Sequence, residues 1–263
     1  MIRAGFAQFA PRRYDVDANA AQVRRLLAGV KADLMVLPEL ANSGYLYARP
    51  EDIAPFSEPG DGSGPFLSAL REMAGQMGGV IVSGFAEKAG QCLYNSAAAV
   101  SATGVLAVYR KTHLFGGEKD LFSPGDSGFQ VLPLPAFTLG MMICFDWFFP
   151  ESARTLALRG AQVLAHPANL VLPYCQQAML TRSLENRVFT VTANRTGEET
   201  LGGQTLGFTG ASQATDPRGS RLLQAPAEGE CVQLCEFDPS LALDKRVTPQ
   251  NDLFADCRPE MYA

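Results

Sequence analysis

Residues 127–145 read SGFQVLPLPAFTLGMMICF and residues 160–181 read GAQVLAHPANLVLPYCQQAMLT, and neither stretch contains a charged side chain. Runs of this length could span a membrane. However, the first contains Pro133 and Gly140 and the second contains His166, which are breakers and polar groups that lipid could not satisfy. Strands covered on both faces also read as continuous apolar runs. We therefore expect buried strands of an α/β protein here, and no membrane-spanning segment.

Strands and helices alternate along the chain. Strands are predicted at 2–9, 34–37, 80–85, 94–100, 105–109, 129–134, 137–143, 163–165, 188–193, 207–214 and 229–237, and helices at 23–30, 67–77, 150–157 and 176–187. The order β-α-β-α-β-β-β thus occurs twice, and KADLMVLP at 31–38 resembles GAQVLAHP at 160–167 in the same position of each half. We predict one domain, residues 1–263, of two mixed β-sheets that pack face to face with helices outside.

Composition and charge exclude several classes of function. The 263 residues carry 22 Lys and Arg against 27 Asp and Glu, a net charge of −5 with no long basic run, which disfavours a nucleic-acid binder. The two histidines, His113 and His166, exclude a three-histidine metal site. The six cysteines include no C-x-x-C pair, so we expect no metal and no other cofactor. The amino-terminal residues do not resemble a secretory signal, so we expect reduced thiols and a cytoplasmic protein.

Three chemically different side chains stand at the ends of apolar strands. Glu39 follows the 34–37 strand, Lys111 follows the 105–109 strand, and Cys144 ends the 137–143 strand. Each has an ordinary explanation taken alone: a helix cap, a solvated charge and a buried thiol. Ligands in open α/β folds bind at the carboxyl ends of strands, so the conjunction favours a catalytic site.

This combination suits hydrolysis of a carbon–nitrogen bond. A carboxylate can accept the proton of a thiol whose ordinary pKa is about 8.5, and an ammonium beside them offers a positive donor to an oxyanion. The protonated carboxylate can then give its proton to departing ammonia and later activate water. Such a cycle passes through a covalent acyl-thioester.

The motifs around these residues resemble the nitrilase superfamily of carbon–nitrogen hydrolases. LPE at 37–39, YRKTHLF at 109–115 and ICFDWFFPE at 143–151 match its three ordered signatures, and AHPAN at 165–169 and LENR at 184–187 also fit. The resemblance covers nearly the whole chain. It implies a four-layer αββα sandwich.

The resemblance also implies a role for each matching residue. Glu39 would be the general base, Lys111 would stabilise the tetrahedral intermediate and Cys144 would be the nucleophile. The backbone N–H of Phe145 would be the second oxyanion donor. Glu118 matches a second glutamate that positions substrate and is counted with the catalytic residues; the alternative is a carboxylate on the loop surface near Lys119 and Asp120.

Four residues near the motifs could line a substrate pocket, or could be ordinary packing: Tyr45, Trp147, Asn169 and Tyr174. His113 and His166 are candidates for a cysteine–histidine dyad of the papain type. The resemblance instead implies that both make structural hydrogen bonds.

The substrate remains open among several small molecules. ICFDWFFPESARTLA at 143–157 is most similar to a branch described as aliphatic nitrilases and amidases of thermophilic prokaryotes, so small amides or aliphatic nitriles are expected. An N-carbamoyl amine or amino acid is an alternative, although no cationic clamp for a carboxylate is evident. A non-catalytic dimeric scaffold and a papain-like peptidase are the remaining hypotheses.

Family resemblance further implies a homodimer or a higher homo-oligomer. Its contacts would involve the helix after Cys144 and the helix at 176–187. The tail at about 245–263 has no strong period, so we expect it to dock on a partner subunit.

Overall fold

Two six-stranded mixed β-sheets pack face to face in the computed structural model, which describes residues 1–261. In spatial order the first sheet contains β14 (Cys231–Phe237), β1 (Ile2–Gln8), β2 (Leu34–Val36), β3 (Val80–Ala89), β4 (Cys92–Ser101) and β5 (Gly104–Arg110). The second contains β13 (Arg221–Gln224), β12 (Gln213–Thr215), β9 (Phe189–Asn194), β8 (Val163–Ala168), β7 (Thr138–Met141) and β6 (Val131–Pro133). Two hairpins stand apart: β10 (Glu198–Leu201) with β11 (Gln204–Gly207), and β15 (Arg246–Thr248) with β16 (Asn251–Asp252).

Longer helices cover the outer face of each sheet. The helices of residues 1–261 are α1 (Val16–Leu26), α2 (Pro50–Ile53), α3 (Pro65–Met77), α4 (Glu118–Leu121), α5 (Pro150–Leu158) and α6 (Cys175–Asn186), with 3₁₀ turns at Ala54–Phe56, Cys144–Phe148, Pro239–Ala242 and Pro259–Met261. α1 and α3 pack on the first sheet, and α5 and α6 pack on the second. The predicted four-layer αββα sandwich is confirmed.

Side-chain alternation along β2 shows how the layers are held together. Leu34 and Val36 point into the core between the two sheets, whereas Met35 and Leu37 join the apolar cluster under α1 and α3. Successive side chains of a strand face opposite sides, so a strand covered on both faces must be apolar throughout. The two uncharged stretches of the sequence supply β7 and β8, which are largely buried, together with the edge strand β6 and part of α6. Among residues 1–261, no helix is both long and apolar enough to cross a membrane.

The predicted repeat is present, with two corrections. β1-α1-β2-α3-β3-β4-β5 and β7-α5-β8-α6-β9-β12-β13 have the same order and the same parallel and antiparallel pairings. The strand predicted at 207–214 is wrong, because Gly210 and Ala211 have positive φ and break the extended chain. The strand predicted at 229–237 exists, but it crosses over and pairs antiparallel with β1 instead of extending the second half.

The tail packs on helices of its own chain. Lys245 Nζ donates to the carbonyl oxygens of Asn186 (2.9 Å) and Arg187 (3.0 Å) at the end of α6. The Phe254 ring lies under the guanidinium of Arg154, 4.9 Å away, on α5. The predicted contact of this tail with a partner subunit stays a prediction, and its last two residues, 262 and 263, lie outside the described residues.

Candidate active site

Glu39 lies three residues beyond the end of β2, and its side chain is fully buried. Its Oε1 accepts hydrogen bonds from Asn95 Nδ2 (2.7 Å) and Lys111 Nζ (2.6 Å), while Oε2 has no hydrogen-bond partner among residues 1–261. Gly84 of β3 makes this position possible. A Cβ at Gly84 would lie 2.4 Å from the Cα of Glu39, so only glycine lets the two segments approach this closely.

Lys111 follows β5 and holds two buried carboxylates together. Its Nζ donates to Glu39 Oε1 at 2.6 Å and to Glu118 at 2.9 Å (Oε1) and 2.7 Å (Oε2), and its side chain has no exposed surface. Because a buried charge is tolerated only when it is paired and hydrogen-bonded, this arrangement fixes the ammonium in one place.

Glu118 begins α4 and is 4% exposed, so the surface-carboxylate reading of the sequence is wrong. Besides Lys111, its carboxylate accepts hydrogen bonds from the Tyr45 hydroxyl (2.7 Å) and the Phe115 backbone N–H (3.2 Å). Tyr45, predicted to line the pocket, thus orients Glu118.

Cys144 begins the 3₁₀ turn that follows β7. Its φ is +40°, a conformation that non-glycine residues rarely adopt and that costs about 1–3 kcal/mol, and it is 5% exposed. The backbone N–H of Asn169 lowers the pKa of its thiol, but burial raises that pKa more. A thiol held in a strained turn beside a buried ion-pair cluster is a feature of functional sites rather than of ordinary packing.

Asp146 anchors this turn to the segment that carries Lys111. Its fully buried carboxylate accepts hydrogen bonds from the Ile143 N–H (2.8 Å) and the Tyr109 hydroxyl (2.8 Å), and Oδ1 lies 2.7 Å from His113 Nδ1. His113 therefore contacts Asp146 and stacks on Phe149 at 3.7 Å, as a structural histidine does.

Burial and charge set the protonation states of the three central groups. Burial raises the pKa of Glu39, and the Lys111 ammonium only partly offsets this. Burial and the Glu39 carboxylate raise the pKa of Cys144 well above its ordinary value, so the resting sulfur is a thiol. Burial lowers the pKa of Lys111, but Glu118 and Glu39 outweigh it and the net shift is upward. The cluster therefore contains a permanent cation, and a thiol that needs a base.

A narrow cavity with a volume of about 20 Å³ reaches Cys144. Its lining is mostly apolar and carries no charge: Phe115, Cys144, Phe145, Trp147, Asn169, Leu170, Val171 and Leu172. Tyr174, predicted to belong here, is 61% exposed and does not line it. A larger groove of about 390 Å³ is lined by Tyr45, Phe115 and Glu118, so Tyr45 does face a cavity beside the cluster. Another groove, of about 660 Å³, contains none of the clustered residues.

Comparisons with known proteins identify the family of this chain. The model of the family described as Carbon-nitrogen hydrolase matches residues 3–246. The chain belongs to the carbon–nitrogen hydrolase family. It is a hydrolase of the nitrilase and amidase type, a member of the nitrilase superfamily that its three motifs resemble.

Three relatives of this carbon–nitrogen hydrolase are informative. A protein of Pyrococcus abyssi named "Nitrilase" is 44% identical over 265 residues, covering 100% of this chain and 99% of its own. The N-carbamoylputrescine amidase of Arabidopsis thaliana is 31% identical over 271 residues, covering 94% and 90%. A mutant amidase from Nesterenkonia sp. AN1, with acrylamide added to its active-site cysteine, superposes with a TM-score of 0.81 at 26% identity, covering 99% of this chain and 98% of its own.

Three buried residues of this hydrolase's cluster escaped the sequence analysis. Asn95 interrupts an apolar strand, which is the one signal that could have found it, and Asp146 lies inside a quoted motif without a predicted role. Glu199 lies on β10, in a short polar hairpin that shows no strand pattern. Within residues 1–261, no group of three or more His, Cys, Asp or Glu side chains could hold a metal ion.

His166 cannot accept the proton of Cys144 through Nε2. That nitrogen lies 3.0 Å from the carbonyl oxygen of Cys144, which can only accept a hydrogen bond, so Nε2 carries a proton. Nδ1 lies 3.1 Å from Thr192 Oγ1, so both ring nitrogens already have a hydrogen-bond partner. The papain-like hypothesis therefore finds no support in this geometry.

A pH titration of stability tests the state of His166. Burial lowers its pKa to about 4, against an unfolded value of about 6.5, so its contribution to stability is present above pH 6.5 and is lost as the pH falls toward 4. The contribution is on the order of 3 kcal/mol. We expect His166→Gln to flatten the fall of the unfolding free energy between pH 6.5 and 4, measured by urea denaturation. Parallel curves for the two proteins would contradict this.

Proposed function

We propose that this protein hydrolyses small uncharged amides, with Cys144 as nucleophile, Glu39 as general base and Lys111 as oxyanion stabiliser. The observation that carries the proposal is the buried Lys111 ammonium held between two carboxylates beside a thiol in a strained turn. A purely structural cluster of this kind would lower the stability of the fold, because the attraction between its three charges only partly offsets the free energy of removing them from water. A catalytic use accounts for it.

The proposed reaction has two halves. Cys144 Sγ attacks the amide carbon while Glu39 takes the thiol proton, and the carbonyl electrons move onto oxygen. Lys111 and the backbone N–H of Phe145 stabilise that oxyanion, as preorganised donors do. Glu39 returns its proton to the nitrogen, the carbon–nitrogen bond breaks, and ammonia leaves an acyl-thioester on Cys144.

Water completes the cycle. Glu39 removes a proton from a water molecule as its oxygen attacks the thioester carbon, and Lys111 again stabilises the oxyanion. Collapse of this intermediate breaks the carbon–sulfur bond, releases the carboxylic acid and returns the proton to Cys144. In this proposal Glu118 positions Lys111 and the substrate.

Unpaired acceptors around the thiol favour amides. Glu39 Oε2 and Asn169 Oδ1 have no hydrogen-bond partner among residues 1–261, and leaving such buried atoms unpaired costs about 1–3 kcal/mol each. The –NH₂ group of an amide supplies two donors, whereas a nitrile supplies none. The apolar, uncharged lining of the narrow cavity suits a short aliphatic acyl group.

A nitrilase activity is the second candidate. The relative from Pyrococcus abyssi carries the name "Nitrilase" at 44% identity over the full chain. With a nitrile, Cys144 Sγ would attack the nitrile carbon and form a thioimidate. Addition of water to the thioimidate and loss of ammonia would then give the same thioester. N-carbamoyl amines are a further candidate substrate class, because N-carbamoylputrescine amidases are also relatives.

Ammonia release from a matched panel separates these substrates. We expect turnover of acetamide and propionamide at least tenfold faster than of acetonitrile, propionitrile or N-carbamoylputrescine, since tenfold corresponds to only about 1.4 kcal/mol. Faster release from the nitrile of the same carbon skeleton would overturn the amide proposal in favour of the nitrilase one. No turnover of any panel member would count against both.

We further propose that the chain acts as one domain within a homodimer. Large apolar side chains are exposed at α5, α6 and the adjoining segments: Phe148, Leu158, Leu184, Leu241, Leu243 and Val247. Exposed apolar surface of this kind marks interaction sites. The second copy would cover α5 and α6, and the tail would reach across it.

Light scattering tests the dimer. At micromolar concentration we expect a mass twice the 28.2 kDa of one chain, and a shift toward monomer when residues 245–263 are removed. A monomer of the full chain at that concentration would refute the proposal.

A further inference from the structure

A buried ion pair lies outside the proposed catalytic groups. Arg195, just after β9, has a side chain that is 1% exposed, and Glu199, on β10, has one that is 7% exposed. Arg195 Nη1 donates to Glu199 Oε1, and Nη2 donates to the carbonyl oxygen of Pro11 at 3.3 Å. Breaking such a pair is costly, so its members keep fixed positions.

Glu199 uses its carboxylate to hold the backbone of a distant loop. It accepts hydrogen bonds from the N–H groups of Tyr45 (3.1 Å to each oxygen) and Leu46 (2.6 Å). Two consecutive N–H groups around one carboxylate form a nest, and the hydrogen bonds are strengthened by the charge. Gly44, with φ of +83°, lets the loop turn beside Glu199.

Arg195 also controls the ring of Tyr45, through Phe208. The guanidinium carbon lies 4.0 Å over the centre of the Phe208 ring, and that ring meets Tyr45 edge-on with centroids 5.7 Å apart. The ion pair therefore fixes both the backbone and the aromatic ring of Tyr45.

Tyr45 connects the Arg195–Glu199 ion pair to the proposed catalytic groups. Its hydroxyl donates to Glu118 Oε1 at 2.7 Å, and Glu118 Oε2 accepts from Lys111 Nζ at 2.7 Å. We infer that Arg195 and Glu199 are positioning residues for hydrolysis, acting through Tyr45 on Glu118 and Lys111. The inference rests on the proposed function, because it assigns these residues to the same reaction.

A double-mutant cycle tests the inference. Glu199→Gln weakens the hydrogen bonds that the carboxylate accepts from the Tyr45 backbone. Tyr45→Phe removes only the hydroxyl that donates to Glu118. We expect each variant to lower kcat on the best amide by about tenfold while KM changes less than about threefold, because a small misplacement slows chemistry without loss of substrate contact. In the Tyr45→Phe background, Glu199→Gln should cost less than about threefold more, since both act through one bond.

Glu58→Gln is the matched control. Glu58 is another buried carboxylate, 3% exposed, that accepts from two consecutive N–H groups, those of Phe66 and Leu67, at the start of α3. It should lower the melting temperature and leave kcat unchanged. If Glu199→Gln behaves in the same way, or if its kcat loss multiplies fully with that of Tyr45→Phe, the inference is wrong.

Two further measurements keep the outcome interpretable. If Glu199→Gln does not fold, Phe208→Leu keeps the ion pair and loosens only the Tyr45 ring. Its kcat should fall in the parent and not in the Tyr45→Phe background, and equal losses in both would overturn the inference. Cys144→Ala tests the proposed function separately. Full activity of that variant would contradict the proposed function, whatever the result of the double-mutant cycle.

Discussion

Replacing Cys144 with alanine is expected to abolish ammonia release, with a fall in kcat of about 10⁴-fold or more, as for loss of other covalent nucleophiles. The reason is that, among the cysteines in residues 1–261, only Cys144 has a positive φ and lies beside the Glu39–Lys111–Glu118 cluster. The measurement is steady-state ammonia release from the best amide, with melting temperature recorded in parallel.

Cys175→Ala is the matched control for that variant. Cys175 is also fully buried, and burial likewise raises the pKa of its thiol, but here the positive charge of Arg182 opposes that rise and no acidic side chain adds to it. It should keep activity within about twofold while losing some stability. Mass spectrometry of acid-quenched reactions should find the acyl mass on the Cys144 peptide alone. An acyl group on Cys175, or more than about 1% residual activity in Cys144→Ala, would contradict the assignment.

Much of this site could be predicted because polar residues interrupt apolar strands. Glu39 and Lys111 follow the strands β2 and β5, which run in the same direction, so their carboxyl ends lie at one edge of the sheet, where such folds bind ligands. The structure brings the two within 2.6 Å of each other, although 72 residues separate them in the chain. The apolar strands on either side could be recognised for the same reason, since both faces are covered.

The supporting residues could not be predicted, because their roles arise only from tertiary contact. Asn95 on β4 donates a hydrogen bond to Glu39, and the strand register that brings them together cannot be read from the sequence. Glu199 meets the Tyr45 backbone over 154 residues, from a hairpin too short and polar to show a strand pattern. The crossing of β14 to β1 escaped for a similar reason, because strand partners depend on packing and not on local pattern.

Replacing Lys111 with methionine is expected to harm both activity and stability. Methionine keeps the length of the side chain and removes the ammonium, so Glu39 and Glu118 are left as buried acids without a counter-charge. Removing one partner of a buried ion pair costs about 3–5 kcal/mol, which for a chain of this size lowers the melting temperature on the order of 10 °C. Loss of the oxyanion donor should lower kcat by about 10²- to 10³-fold.

Lys119→Met is the control for the Lys111 variant. Lys119 is exposed on α4, next to Glu118 in sequence, and makes no salt bridge among residues 1–261. It should leave melting temperature and kcat unchanged within error. If Lys111→Met keeps kcat within about threefold of the parent while Lys119→Met does the same, Lys111 has no part in the chemistry.

The pH dependence of Lys111→Met should show which group the ammonium controls. In the parent, burial raises the pKa of Glu39 and Lys111 lowers it, so removing Lys111 lets the Glu39 pKa rise further. Glu39 must be ionised to accept the thiol proton, so the acidic limb of kcat/KM should move to higher pH. A carboxyl whose pKa is raised on folding favours the folded state at low pH and loses that contribution as the pH rises. The stability difference between parent and variant should therefore be larger at pH 8 than at pH 5, and an equal difference at both would show that Glu39 does not respond to Lys111.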